Sequence, residues 1–307
     1  MGGRDQEGKE GPAHRFGGDW TATKLEILKG YLGAYTIALK DQPFKTAYID
    51  AFAGTGYRTL KQTDATPNLL FPDLAEEAPQ ALLEGSARLA LKVEPRFDRY
   101  IFVEKSSERC KQLDDLRKEF PHLASAIRIE NGEANQVIQV LCKKDWQRQP
   151  GRRAVLFLDP YGMEVEWTTI ESVAKTEAID LWLLFPLGIG PNRLLPRSGE
   201  VPAGWRHRLN LFLGTEDWYE AFYQVETAPN LFGEAETTVV KRGVEVIGKY
   251  LVDRLRVVFP GVAPRPRILM NSTNCPLYLF CFAIGSRNPR AQQIALRIAN
   301  HLLERID

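Results

Sequence analysis

Four acidic residues stand where short apolar runs give way to polar or glycine-rich sequence. Asp50 follows Thr46-Ala47-Tyr48-Ile49 and opens Ala51-Phe52-Ala53-Gly54-Thr55-Gly56. Glu104 ends Tyr100-Ile101-Phe102-Val103. Gly132-Glu133, with Asn135 behind them, follows Ile127-Arg128-Ile129. Asp159 ends Ala154-Val155-Leu156-Phe157-Leu158 and opens Pro160-Tyr161-Gly162. Carboxylates accept hydrogen bonds from hydroxyl and amino groups. A rim of them suits a ribose, a base and an amino-acid moiety, and repels phosphates. Gly54 and Gly56 let a backbone come close to a ligand; a tight turn with nothing bound is the alternative. Neither a G-x-G-x-x-G run nor a Walker lysine pattern is present.

Asp159-Pro160-Tyr161-Gly162 is the candidate catalytic motif. Asp159 and the Pro160 carbonyl can accept hydrogen bonds from an exocyclic amine and aim its lone pair at an electrophile. Tyr161 can stack on an extruded base. Proline lacks an N–H and has a fixed φ, which helps aim its carbonyl. The same four residues would also serve as a strand-ending turn. Lys24 reads as a solvated helix lysine or, if its helix covers the site, as a contact to a ligand carboxylate. Arg193, Arg197, Arg206 and Arg208 form a local basic cluster, a solvated face or a phosphate contact. The four cysteines and four histidines are scattered, with no C-x-x-C pair, so no metal site is expected.

The elements that must position these groups alternate. A helix is expected at about 20–40, from the stripe Leu25, Leu28, Leu32, Tyr35 and Leu39. Strands are expected at 46–52, 100–103, 127–129, 154–158 and 179–185, separated by helices from Gly85-Ser86 and at 106–119, 134–144 and 167–176. Five strands alternating with helices imply a doubly wound, mostly parallel sheet. The chain then breaks rhythm over 190–262, which reads as a mostly helical insertion for substrate or partner recognition. Arg267–Met270 and Leu277–Ile284 follow as an antiparallel pair before a helix at about 289–304, giving a seven-stranded α/β sheet. Residues 1–18 read as a disordered tail, 19–189 as the core with its N-terminal helix, and 263–307 as the piece completing it. The irregular segment 57–84 is a functional loop or an insertion.

Lys plus Arg number 40 against 39 Asp plus Glu, a net charge of +1, so any nucleic-acid contact must use a local patch. No apolar run approaches the ~20 residues that cross a bilayer. The N-terminus carries no apolar signal region. A cytoplasmic protein with no membrane partner is expected.

Asp50-Ala51-Phe52-Ala53-Gly54-Thr55-Gly56 resembles the first motif of class I S-adenosylmethionine-dependent methyltransferases. The resemblance implies a Rossmann-like fold, with Asp50, Phe52, Gly54 and Gly56 at the cofactor, Glu104 on its ribose and Gly132-Glu133 near its adenine. Asp159-Pro160-Tyr161-Gly162 resembles the Asp-Pro-Pro-Tyr motif of adenine N6 methyltransferases with one proline fewer, and the Asp-Pro-Phe-Gly motif of tRNA guanine N2 methyltransferases. Both groups methylate an exocyclic amine. Trp20-Thr21-Ala22-Thr23-Lys24-Leu25, Tyr48–Gly56, Phe157–Met163 and Leu184-Phe185-Pro186-Leu187-Gly188 together resemble the three-Cys-motif partner protein (TcmP) family along most of the chain. That family implies a neighbouring three-Cys-motif protein as partner. The expectation is therefore a methyltransferase using S-adenosylmethionine on an exocyclic amine, with DNA or RNA as acceptor. The alternative is a non-catalytic scaffold that binds the cofactor and that partner.

Overall fold

The computed structural model describes residues 19–54, 57–58, 83–160, 162–188, 195–196, 198–229, 235–271 and 273–305. The tail 1–18, Gly56, Tyr161, Arg193, Arg197 and most of the 57–84 segment lie outside the described residues.

Helix α1 (Asp19–Leu39) leads into β1 (Lys45–Asp50). The two-residue strands β2 (Tyr57–Arg58) and β3 (Leu83–Glu84) pair antiparallel. Then come α2 (Ser86–Leu91), β4 (Arg99–Glu104), α3 (Ser107–Glu119), β5 (Ile127–Asn131), α4 (Ala134–Cys142), β6 (Arg152–Leu158), α5 (Trp167–Lys175) and β7 (Ile179–Phe185). Beyond β7 lie α6 (Ala203–Leu213), α7 (Trp218–Phe222), β8 (Tyr223–Pro229), β9 (Ala235–Lys241), α8 (Val244–Val258), β10 (Gly261–Val262), β11 (Arg267–Met270), β12 (Pro276–Ile284) and α9 (Pro289–Arg305).

The central sheet runs β5-β4-β1-β6-β7-β12, with β10 and β11 sharing the outer edge of β12. Strands β5, β4, β1, β6 and β7 are parallel; β12 runs antiparallel to β7. Eight strands thus fill the seven expected positions. Every residue of β7, Ile-Asp-Leu-Trp-Leu-Leu-Phe, is buried, as a strand covered on both faces requires. One face is packed by α4 to α8, the other by α1, α2, α3 and α9. The protein is a three-layer α/β domain with a doubly wound, mostly parallel sheet. From β1 the chain winds out to β4 and β5, then returns to β6 on the other side of β1. The topological switch point therefore lies between β1 and β6.

Two expectations are corrected. The 190–262 stretch is not all helix: β8 and β9 form a hairpin in register from Tyr223↔Lys241 to Pro229↔Ala235. Thr237-Thr238-Val239-Val240 is β-branched throughout, a strand signal that the neighbouring helices masked. Nor does that stretch stand apart from the core. Leu209, Phe212, Trp218, Phe222, Ile247, Leu251 and Leu255 are buried in the same cluster as the sheet, so α8 is the crossover helix that leads to β12. The sharp end of α6 depends on Gly214 (φ +68), where a Cβ would come within 2.2 Å of the Trp167 side chain.

Asp180, buried near the start of β7, ties α1 to the far end of the sheet. It accepts the Tyr31 hydroxyl at 2.7 Å and the Gly285 N–H at 3.4 Å. Burial pushes its carboxyl up to about 7, against the pull of the Tyr31 hydrogen bond. A folded-state pKa above the unfolded one means that the native state holds the proton more tightly. Stability is then greatest below about pH 4 and is lost as pH rises through 7, by up to about 4 kcal/mol. Asp180→Asn keeps the shape without the charge. Urea unfolding from pH 4.5 to 8.5 is expected to show the variant gaining on the wild type as pH rises. A pH-independent difference between the two would remove this account.

Candidate active site

The first side of the site is the turn after β1. Ala51 N–H bonds to Phe157 O (3.1 Å) and Ala53 N–H to Val103 O (3.1 Å), so the turn is stitched to β6 on one side and β4 on the other. Gly54 sits at φ +62, a backbone conformation that glycine adopts without cost, with nothing within 4 Å of a notional Cβ. Asp50 is fully buried beneath this turn. Its Oδ2 accepts Ser86 Oγ at 2.5 Å and the Tyr48 hydroxyl at 3.3 Å; its Oδ1 accepts Phe52 N–H at 3.3 Å. Burial raises its carboxyl to about 6; the Ser86 hydrogen bond opposes that rise and the nearby Asp159 charge adds to it. Asp50 thus anchors the turn from below, and Phe52, Gly54 and the turn's backbone are the parts exposed to a ligand. Ser86 was not foreseen; its place at the first turn of α2, after Gly85, is the only sequence signal.

Glu104 closes β4. It is 7% exposed, and its Oε1 accepts Ser106 N–H at 2.8 Å. Its Oε2 has no partner among the described residues, so one oxygen remains open for a hydroxyl donor. Its backbone carbonyl takes Gly132 N–H at 3.1 Å and Asn131 Nδ2 at 3.0 Å, which locks the end of β5 beside it.

Glu133 serves the fold at its helix start. It is the N-cap of α4: Oε1 accepts Asn135 N–H at 3.1 Å and Asn135 Nδ2 at 2.8 Å, and Oε2 accepts Gln136 N–H at 3.0 Å. Both oxygens are used in satisfying the orphan donors of the helix start. Asn135 is equally committed, with its amide bridging to Glu164 O, Glu166 N and Thr169 Oγ1. Gly132 stays half-buried next to Glu104, with Val137 too close for a Cβ.

Asp159 follows β6 directly across the switch point from Asp50. It is joined by a residue from the other end of the sequence. Lys24 Nζ lies 2.5 Å from Asp159 Oδ2, with side-chain exposures of 2% and 22%. The ammonium also sits 5.2 Å from the Trp20 ring centroid and 5.9 Å from that of Phe157. Trp20 and Lys24 are one helical turn apart and share a face of α1; Trp20 in turn stacks on Tyr278 of β12 (5.0 Å). The expectation of a solvated Lys24 is therefore corrected, and so is a role at a ligand carboxylate: a buried ammonium needs a paired anion, and here that anion is protein. The i, i+4 spacing of Trp20 and Lys24 ahead of an apolar stripe was the available signal. Pro160, next in the chain, is buried.

Of the basic cluster, Arg206 does not reach this site. Arg206 lies against Trp218 (5.6 Å) and Tyr219 (4.8 Å), so it packs within the insertion. The cysteines are unpaired, and no group of three or more His, Cys, Asp or Glu among the described residues is placed to hold a metal. No helix among them is long and apolar enough to cross a membrane.

No family model matches the chain, and no curated protein does. Among solved structures, it is similar to protein LPL1258 of Legionella pneumophila, of family DUF519, at 14% identity and TM-score 0.43, covering 94% of this chain and 93% of that one. It is also similar to the putative methyltransferase yhhF of Escherichia coli, at 14% identity and TM-score 0.29, covering 70% and 86%. The O-methyltransferase TomG of Streptomyces achromogenes, solved with S-adenosylmethionine, aligns at 12% identity and TM-score 0.32, covering 74% and 91%. Likenesses this loose leave the site's own geometry to decide what it does.

Proposed function

We propose that the protein is an S-adenosylmethionine-dependent methyltransferase acting on an exocyclic amine in nucleic acid. One observation carries this reading: the Gly54 turn, Glu104 with one carboxylate oxygen unpaired among the described residues, and Asp159 stand at the carboxyl ends of the neighbouring strands β1, β4 and β6, beside the switch point of the sheet. The donor set fits a nucleoside bearing an amino-acid arm: a carboxylate for ribose hydroxyls and an exposed glycine turn for close approach. When bound, the cofactor would supply an electrophilic methyl group at its sulfonium.

The residues of the chain do the rest. Lys24 occupies Oδ2 of Asp159, leaving Oδ1 to accept a hydrogen bond from the acceptor amine. That bond fixes the amine nitrogen and turns its lone pair toward the methyl carbon. Asp159 would also take up the amine's surplus proton along the same hydrogen bond. Pro160 O is a second acceptor for the amine's other N–H. Tyr161 follows in sequence and would be the stacking platform for the base.

The test is calorimetric titration of the full chain with S-adenosylmethionine and S-adenosylhomocysteine, with Asp50→Ala as control. Saturable binding in the wild type, weakened at least about tenfold in the variant as the turn loses its anchor, is the expected result. No binding to well-folded protein would sink the reading. A second reading, a non-catalytic partner of a three-Cys-motif protein, is favoured by one feature: an internal ion pair already engages the acceptor carboxylate. It predicts cofactor binding and co-purification of the two proteins, with no methyl transfer by either alone or together.

A further inference from the structure

At the opposite end of the sheet from Asp159, a groove of about 510 Å³ opens between the end of α1, the turn entering β1, the turn entering β4 and residues 122–126. Its ionisable lining is Lys40, Lys45, Arg96, Arg99 and His122 against one acid, Asp98. Asp98 is already engaged: Lys45 Nζ and Thr46 N–H bond to it at 3.2 and 2.8 Å. Lys40, Arg96 and Arg99 make no ion pair among the described residues, and all three are exposed. Arg99 donates to Ser125 O at 2.6 Å, which holds its guanidinium in place at the groove wall.

Strand register extends the basic character sideways. Lys45 pairs with Arg152, Thr46 with Arg153 and Ala47 with Arg99, so β6, β1 and β4 start with cationic residues side by side, about 4.8 Å apart per strand. Arg153 lies 4.3 Å over the Phe44 ring at the groove's edge. The whole chain carries only +1, so this excess is local.

We propose that this groove binds the phosphodiester backbone of a folded nucleic acid; the proposal rests on the acceptor class inferred above and names a second anchor for it. A single phosphate is gripped by convergent donors, often backbone N–H groups at a helix start. Here the cations are exposed and come from separate segments around the groove, which suits a polyanion whose bound counterions are released on contact. The groove and Asp159 sit at opposite ends of β-strands six or seven residues long, about 20 Å apart. Such a span equals about six base pairs of duplex, so one folded nucleic acid can press on the groove while presenting a base at the other end.

The test is fluorescence anisotropy of the full chain with a labelled stem-loop of about 25 nucleotides, as RNA and as DNA, in roughly 50–200 mM KCl. Lys40→Glu/Arg96→Glu removes two cations that no ion pair needs for folding. It is expected to weaken binding about tenfold or more and to lower the slope of log affinity against log salt by roughly two. Lys29→Glu/Lys111→Glu, the same charge change on other surfaces, is expected to cost less than about threefold. Millimolar inorganic pyrophosphate is expected to leave the complex intact. Failure of the wild type to bind either stem-loop, equal weakening by the two double variants, or displacement by pyrophosphate would each overturn the proposal. The groove variant should still titrate with S-adenosylmethionine. Loss of that binding in the wild type would sink the methyltransferase reading while leaving the anisotropy result to stand or fall by itself.

Discussion

Asp159→Asn is expected to lower methyl transfer to nucleic acid by about 10²–10⁴-fold while leaving S-adenosylmethionine affinity within about threefold. The asymmetry follows from position. Cofactor contacts are assigned to the β1 turn and to Glu104, on the far side of the switch point from the β6 end. Asparagine keeps the volume of Asp159 and one carbonyl acceptor for Lys24 Nζ, so the pocket is not torn open as alanine would leave it. What it removes is the charge that orients the amine and takes its proton, an interaction that grows only as the N–C bond forms. Losses of that kind appear in the transfer step and not in ground-state binding. The measurement is single-turnover transfer of radiolabelled methyl, run beside calorimetry on the same preparation. Transfer unchanged in the variant would take Asp159 out of the reaction. Parallel loss of cofactor binding would mean that it belongs to the cofactor site instead.

Much of this architecture is legible in the sequence because the strands are nearly pure apolar runs. Ala154–Leu158 and Ile179–Phe185 cannot be half-exposed, and each ends at a breaker: Asp159-Pro160, Pro186 and Gly188. Alternation with helices then forces a parallel sheet, and the acidic and glycine-rich strand ends mark the site in the sequence itself. Three things are not legible, each for a physical reason. The hairpin β8–β9 lies between helices, and its polar, β-branched strands do not form an apolar run, so its alternation is weak. The role of Glu133 turns on whether its side chain points outward or back onto α4; an acidic residue at a strand–helix junction fits both a ligand contact and an N-cap, and only geometry separates them. The Lys24–Asp159 pair joins residues 135 positions apart. No local pattern announces it, since a lysine on a helix is solvated far more often than buried.

That pair gives the second large effect. Lys24→Ala is expected to cost about 3 kcal/mol of stability, and Lys24→Met roughly half as much. Two losses combine in the alanine variant. The four-carbon stem, buried between Trp20 and Phe157, leaves a cavity. Asp159, half-buried, loses its counter-charge next to the buried carboxylate of Asp50, whose protonation is already favoured by the Asp159 charge. Methionine restores most of the stem and isolates the electrostatic part. That part stays below the cost of breaking a fully buried pair, because Asp159 keeps 22% of its side chain in reach of water. A double-mutant cycle with Lys24→Met and Asp159→Asn, read by urea unfolding, should return a coupling of about 1–2 kcal/mol, only modestly reduced by salt since the Lys24 end of the pair is buried. A surface pair would give less than that and fade as salt is added; such a result would show that Lys24 does not clamp α1 to the acceptor motif. If the coupling is found, the clamp has a consequence for activity. Lys24→Met should lower transfer through Asp159, because the carboxylate that orients the amine would have lost the ammonium that fixes its position.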